Sequence, residues 1–105
     1  MPGLRLLASG LAIAAAFAAP ARAAVIEVTM DRVAYQPATI TAHVGDTIEW
    51  TNKDFVVHTA TARDKSFDLP IKVGGTVKLV LKTAGTIDYY CRFHPTMKGE
   101  IKVEP

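Results

Sequence analysis

The sequence holds one cysteine, Cys91. No disulfide can therefore close within the chain, and the thiol needs some other reason to be there. Histidine is also scarce, at three residues. Beyond residue 24 no apolar run recurs at helical spacing for long enough to predict a helix, and no repeat, low-complexity segment or linker is visible. The one long apolar stretch, Leu6 to Ala19, is too short to span a bilayer. With Arg5 before it and Pro20, Ala21, Arg22 and Ala23 after it, it reads as a secretory signal peptide cleaved after Ala23. No cysteine lies near that cleavage site to carry a lipid. Charge of one sign is lacking as well. The formal net charge of +2 comes from Arg5 and Arg22, so the segment 24–105 carries ten basic and ten acidic side chains. Net charge thus gives no support to nucleic-acid binding. What remains is a single exported domain of 82 residues, residues 24–105, expected in the periplasm as a monomer. A secreted domain this small often leans on disulfides. Their absence gives weight to a bound metal.

Short strands separated by turn residues fill that domain. Val25, Ile26 and Val28 predict a first strand ending near Asp31. Ile40, Ala42 and Val44 alternate with Thr39, Thr41 and His43, a period of two that puts His43 on the solvent face. After a turn at Gly45 and Asp46, the strand Thr47 to Thr51 turns Ile48 and Trp50 inward, and Asn52, Lys53 and Asp54 break it. The apolar run Phe55 to Val57 leads into His58. From Ala60 to Gly75 the pattern weakens, which predicts a loop with one short strand. Regular alternation returns at Val77, Leu79 and Leu81. The strand after Ala84 and Gly85 sets Ile87, Tyr89 and Cys91 on one face, with Asp88 and Tyr90 on the other. Ile101 and Val103 mark the last strand. About seven short strands without helices predict an all-β sandwich. Met30 and Trp50 are read as core.

Cys91, His94 and Met97 follow one another at intervals of three. A thiolate, an imidazole and a thioether form a soft donor set that suits copper, and a weak axial methionine marks electron-transfer copper sites. Such a site takes a second histidine, for which His58 is the candidate. Zinc would favour further Cys or His over Met. A Cys–His nucleophile would need an orienting third group and a substrate cleft, for which so small a sandwich has little room. An enzyme is not expected.

The run Gly85, Thr86, Ile87, Asp88, Tyr89, Tyr90, Cys91, Arg92, Phe93, His94, Pro95, Thr96, Met97, Lys98, Gly99 resembles the ligand loop of the cupredoxins, and its short spacings are amicyanin-like. Trp50, Thr51 and Asn52, with His58 six residues after the Asn, resemble the segment carrying that family's first histidine. The resemblance implies a Greek-key sandwich and a type 1 (blue) copper site. His58, Cys91 and His94 would be equatorial ligands and Met97 axial. It implies a periplasmic carrier of single electrons, meeting redox proteins such as c-type cytochromes or a dehydrogenase transiently. The alternative is a protein that binds and hands on copper without carrying electrons. Where the family has an Asn after the first histidine this chain has Thr59, so Asn52 and the Thr59 hydroxyl are candidates for the shell around the thiolate. Pro95 has no N–H to give the sulfur. Phe93 and Pro95, with Val56, Val57 and Pro70, are candidates for an apolar partner patch around the loop histidine. Tyr90 occupies the position of plastocyanin's remote electron path.

Overall fold

Alternation of apolar and polar side chains builds two sheets whose inner faces share one core. The computed structural model describes residues 23–105, so the expected signal peptide lies, but for Ala23, outside the described residues. Nine strands follow in order: β1 (Val25–Asp31), β2 (Ala34–Gln36), β3 (Thr39–His43), β4 (Thr47–Asn52), β5 (His58–Ala62), β6 (Asp68–Ile71), β7 (Thr76–Val80), β8 (Gly85–Tyr90) and β9 (Lys98–Glu104). One sheet has the order β2-β1-β4-β7 and the other β3-β9-β8-β5-β6. The β1–β4 and β3–β9 pairs are parallel and the others antiparallel. Strands β4 and β7 are neighbours although β5 and β6 intervene in sequence and lie in the opposite sheet, so the chain crosses between layers as Greek-key sandwiches do.

The expectation of about seven strands is low by two, and each missed strand has a physical reason. Strand β2 is only three residues long, too short to show a period. Its hairpin turns through Arg32 and Val33, both at positive φ (53° and 57°), where a sequence would normally advertise Gly or Asn. The stretch from Ala60 to Gly75, expected to hold one short strand, contains β6 and the end of β5. All five residues of β5 are buried, so it has no polar face to betray a period of two. Its outward threonines are covered: the Thr59 and Thr61 hydroxyls lie 2.9 Å apart, and Thr61 donates to Asp68 Oδ1 at 2.7 Å. Strand β6 holds Pro70 and lies at the sheet edge, where a missing N–H is tolerated. Val44, expected inward, is instead 42 % exposed, because β3 ends at His43 and the chain turns at Gly45.

The core centres on aromatic rings. Trp50 and Tyr89 meet edge to face, with ring centres 5.6 Å apart and the indole Nε1–H donating to the Tyr89 hydroxyl at 3.3 Å. Tyr35 packs on Tyr89 at 4.5 Å and donates its hydroxyl to the Thr59 carbonyl. Burial pushes the Tyr89 hydroxyl up to about 12 and holds that of Tyr35 above the usual range, so both stay protonated. Met30, Ile48 and Trp50 are fully buried, as expected, and His43 faces solvent beside Glu104 at 3.2 Å.

The Tyr89 ring needs room that its cross-strand partner Gly99 supplies. A Cβ on residue 99 would lie 2.3 Å from the ring, and Trp50 and Tyr35 leave the ring nowhere to go. Gly99→Ala should therefore cost about 1–3 kcal/mol of stability, read as a lower denaturant midpoint at unchanged slope.

Candidate metal centre

Strand pairing brings the two sequence-distant motifs together. Strands β5 and β8 are antiparallel neighbours with Thr61 opposite Tyr90 and Ala62 opposite Tyr89. Continuing that register sets Ala60 against Cys91 and Thr59 against Arg92, one residue from His58. Two hydrogen bonds fix the junction: the Arg92 N–H donates to Thr59 Oγ1 at 2.9 Å and the Thr59 N–H to Cys91 Sγ at 3.4 Å. Beyond Cys91 the intervals of three become tight turns. The His94 N–H reaches the Cys91 carbonyl (3.3 Å), the Met97 N–H reaches the His94 carbonyl (2.8 Å), and the Cys91 N–H closes the loop on the Met97 carbonyl (3.1 Å).

Cys91 Sγ lies 3.6 Å from His58 Nδ1 and 3.7 Å from His94 Nδ1, and ligand atoms of the three residues all fall within 4.8 Å of one another. Bond lengths of about 2.3 Å to sulfur and about 2.0 Å to nitrogen, the zinc values, set at 120° would separate S from N by about 3.7 Å. The donors are thus spaced for one shared ion. His58 and Cys91 have no exposed surface, Met97 is 2 % exposed, and His94 is half-buried. The centre is closed on the core side and approached from His94.

An acid absent from the sequence-based candidates holds the first histidine. His58 Nε2 lies 2.6 Å from Asp54 Oδ2; with the proton on Nε2, the Nδ1 lone pair is left facing the sulfur. Asp54 also accepts the N–H groups of Arg32 (2.7 Å) and Val33 (3.0 Å), tying the β1–β2 turn to the centre. Burial alone would raise its carboxyl. The bonds from Val33, His58 and Arg32 outweigh that and hold it below the usual carboxylate range. Its signal in the sequence is faint, an acid four residues before His58 in a stretch that reads only as a strand breaker.

The other candidates divide. Thr59 serves the sulfur through its backbone N–H, which any non-proline residue has, while its hydroxyl ties down Arg92. Asn52 does not meet the thiol. Its Nδ2 donates to the Val56 (2.8 Å) and Ile71 (3.1 Å) carbonyls and its Oδ1 accepts the Asp54 N–H (2.9 Å), so it shapes the loop that presents Asp54 and His58. Phe93, Val56 and Val57 are 55 %, 45 % and 43 % exposed, and Pro95 and Pro70 are exposed too. Phe55, not among the patch candidates, is 97 % exposed. Tyr90 is half-buried under the Arg63 guanidinium, 4.6 Å from its ring centre.

The Cupredoxin-like domain family model matches residues 4–103, and the chain belongs to that family. Amicyanin of Paracoccus denitrificans is 29 % identical over 85 residues, covering 75 % of this chain; the chain spans 65 % of that relative's length. A reduced amicyanin variant superposes with a TM-score of 0.67 at 30 % identity, covering 76 % of this chain and 82 % of its own. A copper-containing nitrite reductase from Thermus scotoductus SA-01 gives 0.71 at 26 % identity, over 76 % of this chain but 22 % of its own. Family and soft donor set together make copper the cofactor.

Removing the Asp54 carboxylate frees the His58 ring to turn. Asp54→Ala should lower copper affinity about 10- to 100-fold, measured by competition with a copper chelator.

Proposed function

We propose that His58, Cys91, His94 and Met97 hold one copper ion and that the protein is a periplasmic type 1 carrier of single electrons rather than an enzyme. The observation that carries this reading is the closed donor set, with Cys91, His58 and Met97 buried and His94 alone half-exposed. Copper, when bound, supplies one-electron cycling between Cu(II) and Cu(I). The chain's part is to keep the donors still. Thr59 bridges to both Cys91 and Arg92, Asp54 fixes the His58 ring, and the Cys91–Met97 backbone bond closes the loop. Donors that barely move between oxidation states keep the reorganisation energy low, which a carrier needs and a site of metal hand-over does not.

Electrons would enter and leave through His94, the one donor residue near solvent. Exposed Phe55, Val56, Val57, Phe93 and Pro95, on the loops that carry His58 and His94, support a small apolar contact of the kind transient redox pairs use. The partners we infer are redox proteins such as c-type cytochromes or a periplasmic dehydrogenase.

Export after cleavage behind Ala23 belongs to the same reading. The Ala24 nitrogen lies 2.8 Å from Asp46 Oδ1, so cleavage there would place a new ammonium group directly on a carboxylate. Intact-mass measurement of the exported protein should give a chain beginning at Ala24.

The copper reading is tested by the visible spectrum of the protein with one equivalent of Cu(II). An intense thiolate-to-copper band that bleaches with ascorbate, returns on reoxidation and is absent from Cys91→Ser is the expected result. Loss of copper on reduction would fit a metal-handling protein instead.

A further inference from the structure

The outer face of the five-stranded sheet carries its charge unevenly. Cross-strand register sets Tyr90 between Thr61 and Lys98, and Asp88 opposite Glu100. The acids thus lie two residues further from the ligand loop than Tyr90 and Lys98. At the end nearest Cys91 a cleft of about 260 Å³ is lined by Thr61, Arg63, Lys65, Asp68, Tyr90 and Arg92. Three cations there face one carboxylate, and that carboxylate is occupied: Asp68 Oδ1 accepts from Thr61 Oγ1 at 2.7 Å and Arg92 Nε at 2.9 Å. Those two bonds hold its carboxyl below the usual range. Among the described residues, Arg63 and Lys65 have no carboxylate within 4 Å; Arg32, Lys53, Lys72, Lys82 and Lys98 have none either, but Arg63 and Lys65 line one cleft together with a third cation, Arg92. Asp64, between the two, is turned to its own loop and accepts the Ser66 N–H at 2.8 Å.

The patch also has a fixed shape and a direction. Stacking on Tyr90 holds the Arg63 guanidinium in place and leaves its N–H edge free. Arg92 lies over the Phe93 ring at 5.4 Å, so the cations run without a break into the apolar residues beside His94. Three cations, two of them without a carboxylate partner, are therefore gathered beside the most accessible donor residue.

We propose that the cleft framed by Arg63, Lys65 and Arg92 is a docking surface for a carboxylate-rich protein surface, which it orients over His94. This rests on the electron-carrier reading for its purpose, though not for its chemistry. Exposed ion pairs add little affinity one by one. A cluster of one sign instead speeds encounter and fixes orientation, and salt weakens it. An acidic partner held this way can be captured quickly and released after one electron.

The test is an NMR titration of the ¹⁵N-labelled Cu(I) protein with poly-L-glutamate, alongside phosphatidylglycerol vesicles. Amide shifts should concentrate on Arg63–Asp68 and Tyr90–Phe93 and collapse at high salt. The double charge reversal Arg63→Glu with Lys65→Glu, both at exposed positions, should weaken poly-L-glutamate binding about tenfold or more with the Cu(II) spectrum unchanged. Shifts as large around Lys78, Lys82 and Lys102, no binding, or unaltered affinity in the double variant would overturn the proposal. Tighter binding to the vesicles than to poly-L-glutamate would overturn it in favour of a membrane surface. Because none of these readouts needs a redox cycle, loss of the carrier reading and loss of the docking surface remain distinguishable.

Discussion

The contact between Thr59 and Cys91 is the constraint on which the rest of the molecule turns. A fully buried sulfur needs donors, and the N–H of β5 that meets it comes from the residue next to His58. The same threonine accepts the N–H of the residue after Cys91. Two strands are thereby locked at the one register that brings His58 Nδ1 to 3.6 Å from Sγ. A slip of one residue would turn β5 over and point the imidazole out of the sheet. Metal geometry and sheet register are in this sense one constraint.

Supports at increasing distance hold the contact in place. Asp54 grips the far nitrogen of His58 and is itself held by two N–H groups of the β1–β2 turn. Asn52 shapes the loop between them. Tyr35 reaches from β2 to the Thr59 carbonyl and packs on Tyr89, two residues before Cys91. The short strand β2 thus connects to both ligand segments. Its turn, built on two non-glycine residues at positive φ, is over-determined by Asp54, which explains how a costly backbone conformation persists there.

What could be read from the sequence follows from the same division. The candidate donors of the loop were legible because Cys91, His94 and Met97 are unusual residue types at a fixed spacing, and tight turns turn spacing into proximity. His58 was legible only through the donor set's need for it. Strands with one wet face, such as β3 and β4, showed their period. Strand β5 did not, because its second face is dry and lined by threonine hydroxyls bonded to one another and to Asp68. Asp54 was hidden for a different reason. Its role depends on where the β1–β2 turn lies in space, and an acid near a strand end has many ordinary explanations. The role foreseen for Asn52 was misplaced by one layer: it acts on the loop, not on the sulfur.

Size sets the last condition. A domain of this length keeps little stability in reserve, and without a disulfide it must still bury a thiol and an imidazole side by side. Each is costly to bury with its lone pairs unmet. The fold meets part of that cost itself, with the Thr59 N–H on the sulfur and Asp54 on the imidazole, and leaves the sulfur and the imidazole nitrogens of His58 and His94 within 4.8 Å of one another. An ion there would bind donors that the fold has already gathered, so its binding energy would also become folding energy. The frame that keeps the donors still is then the same frame that a bound metal would stabilise, and one set of contacts serves both ends.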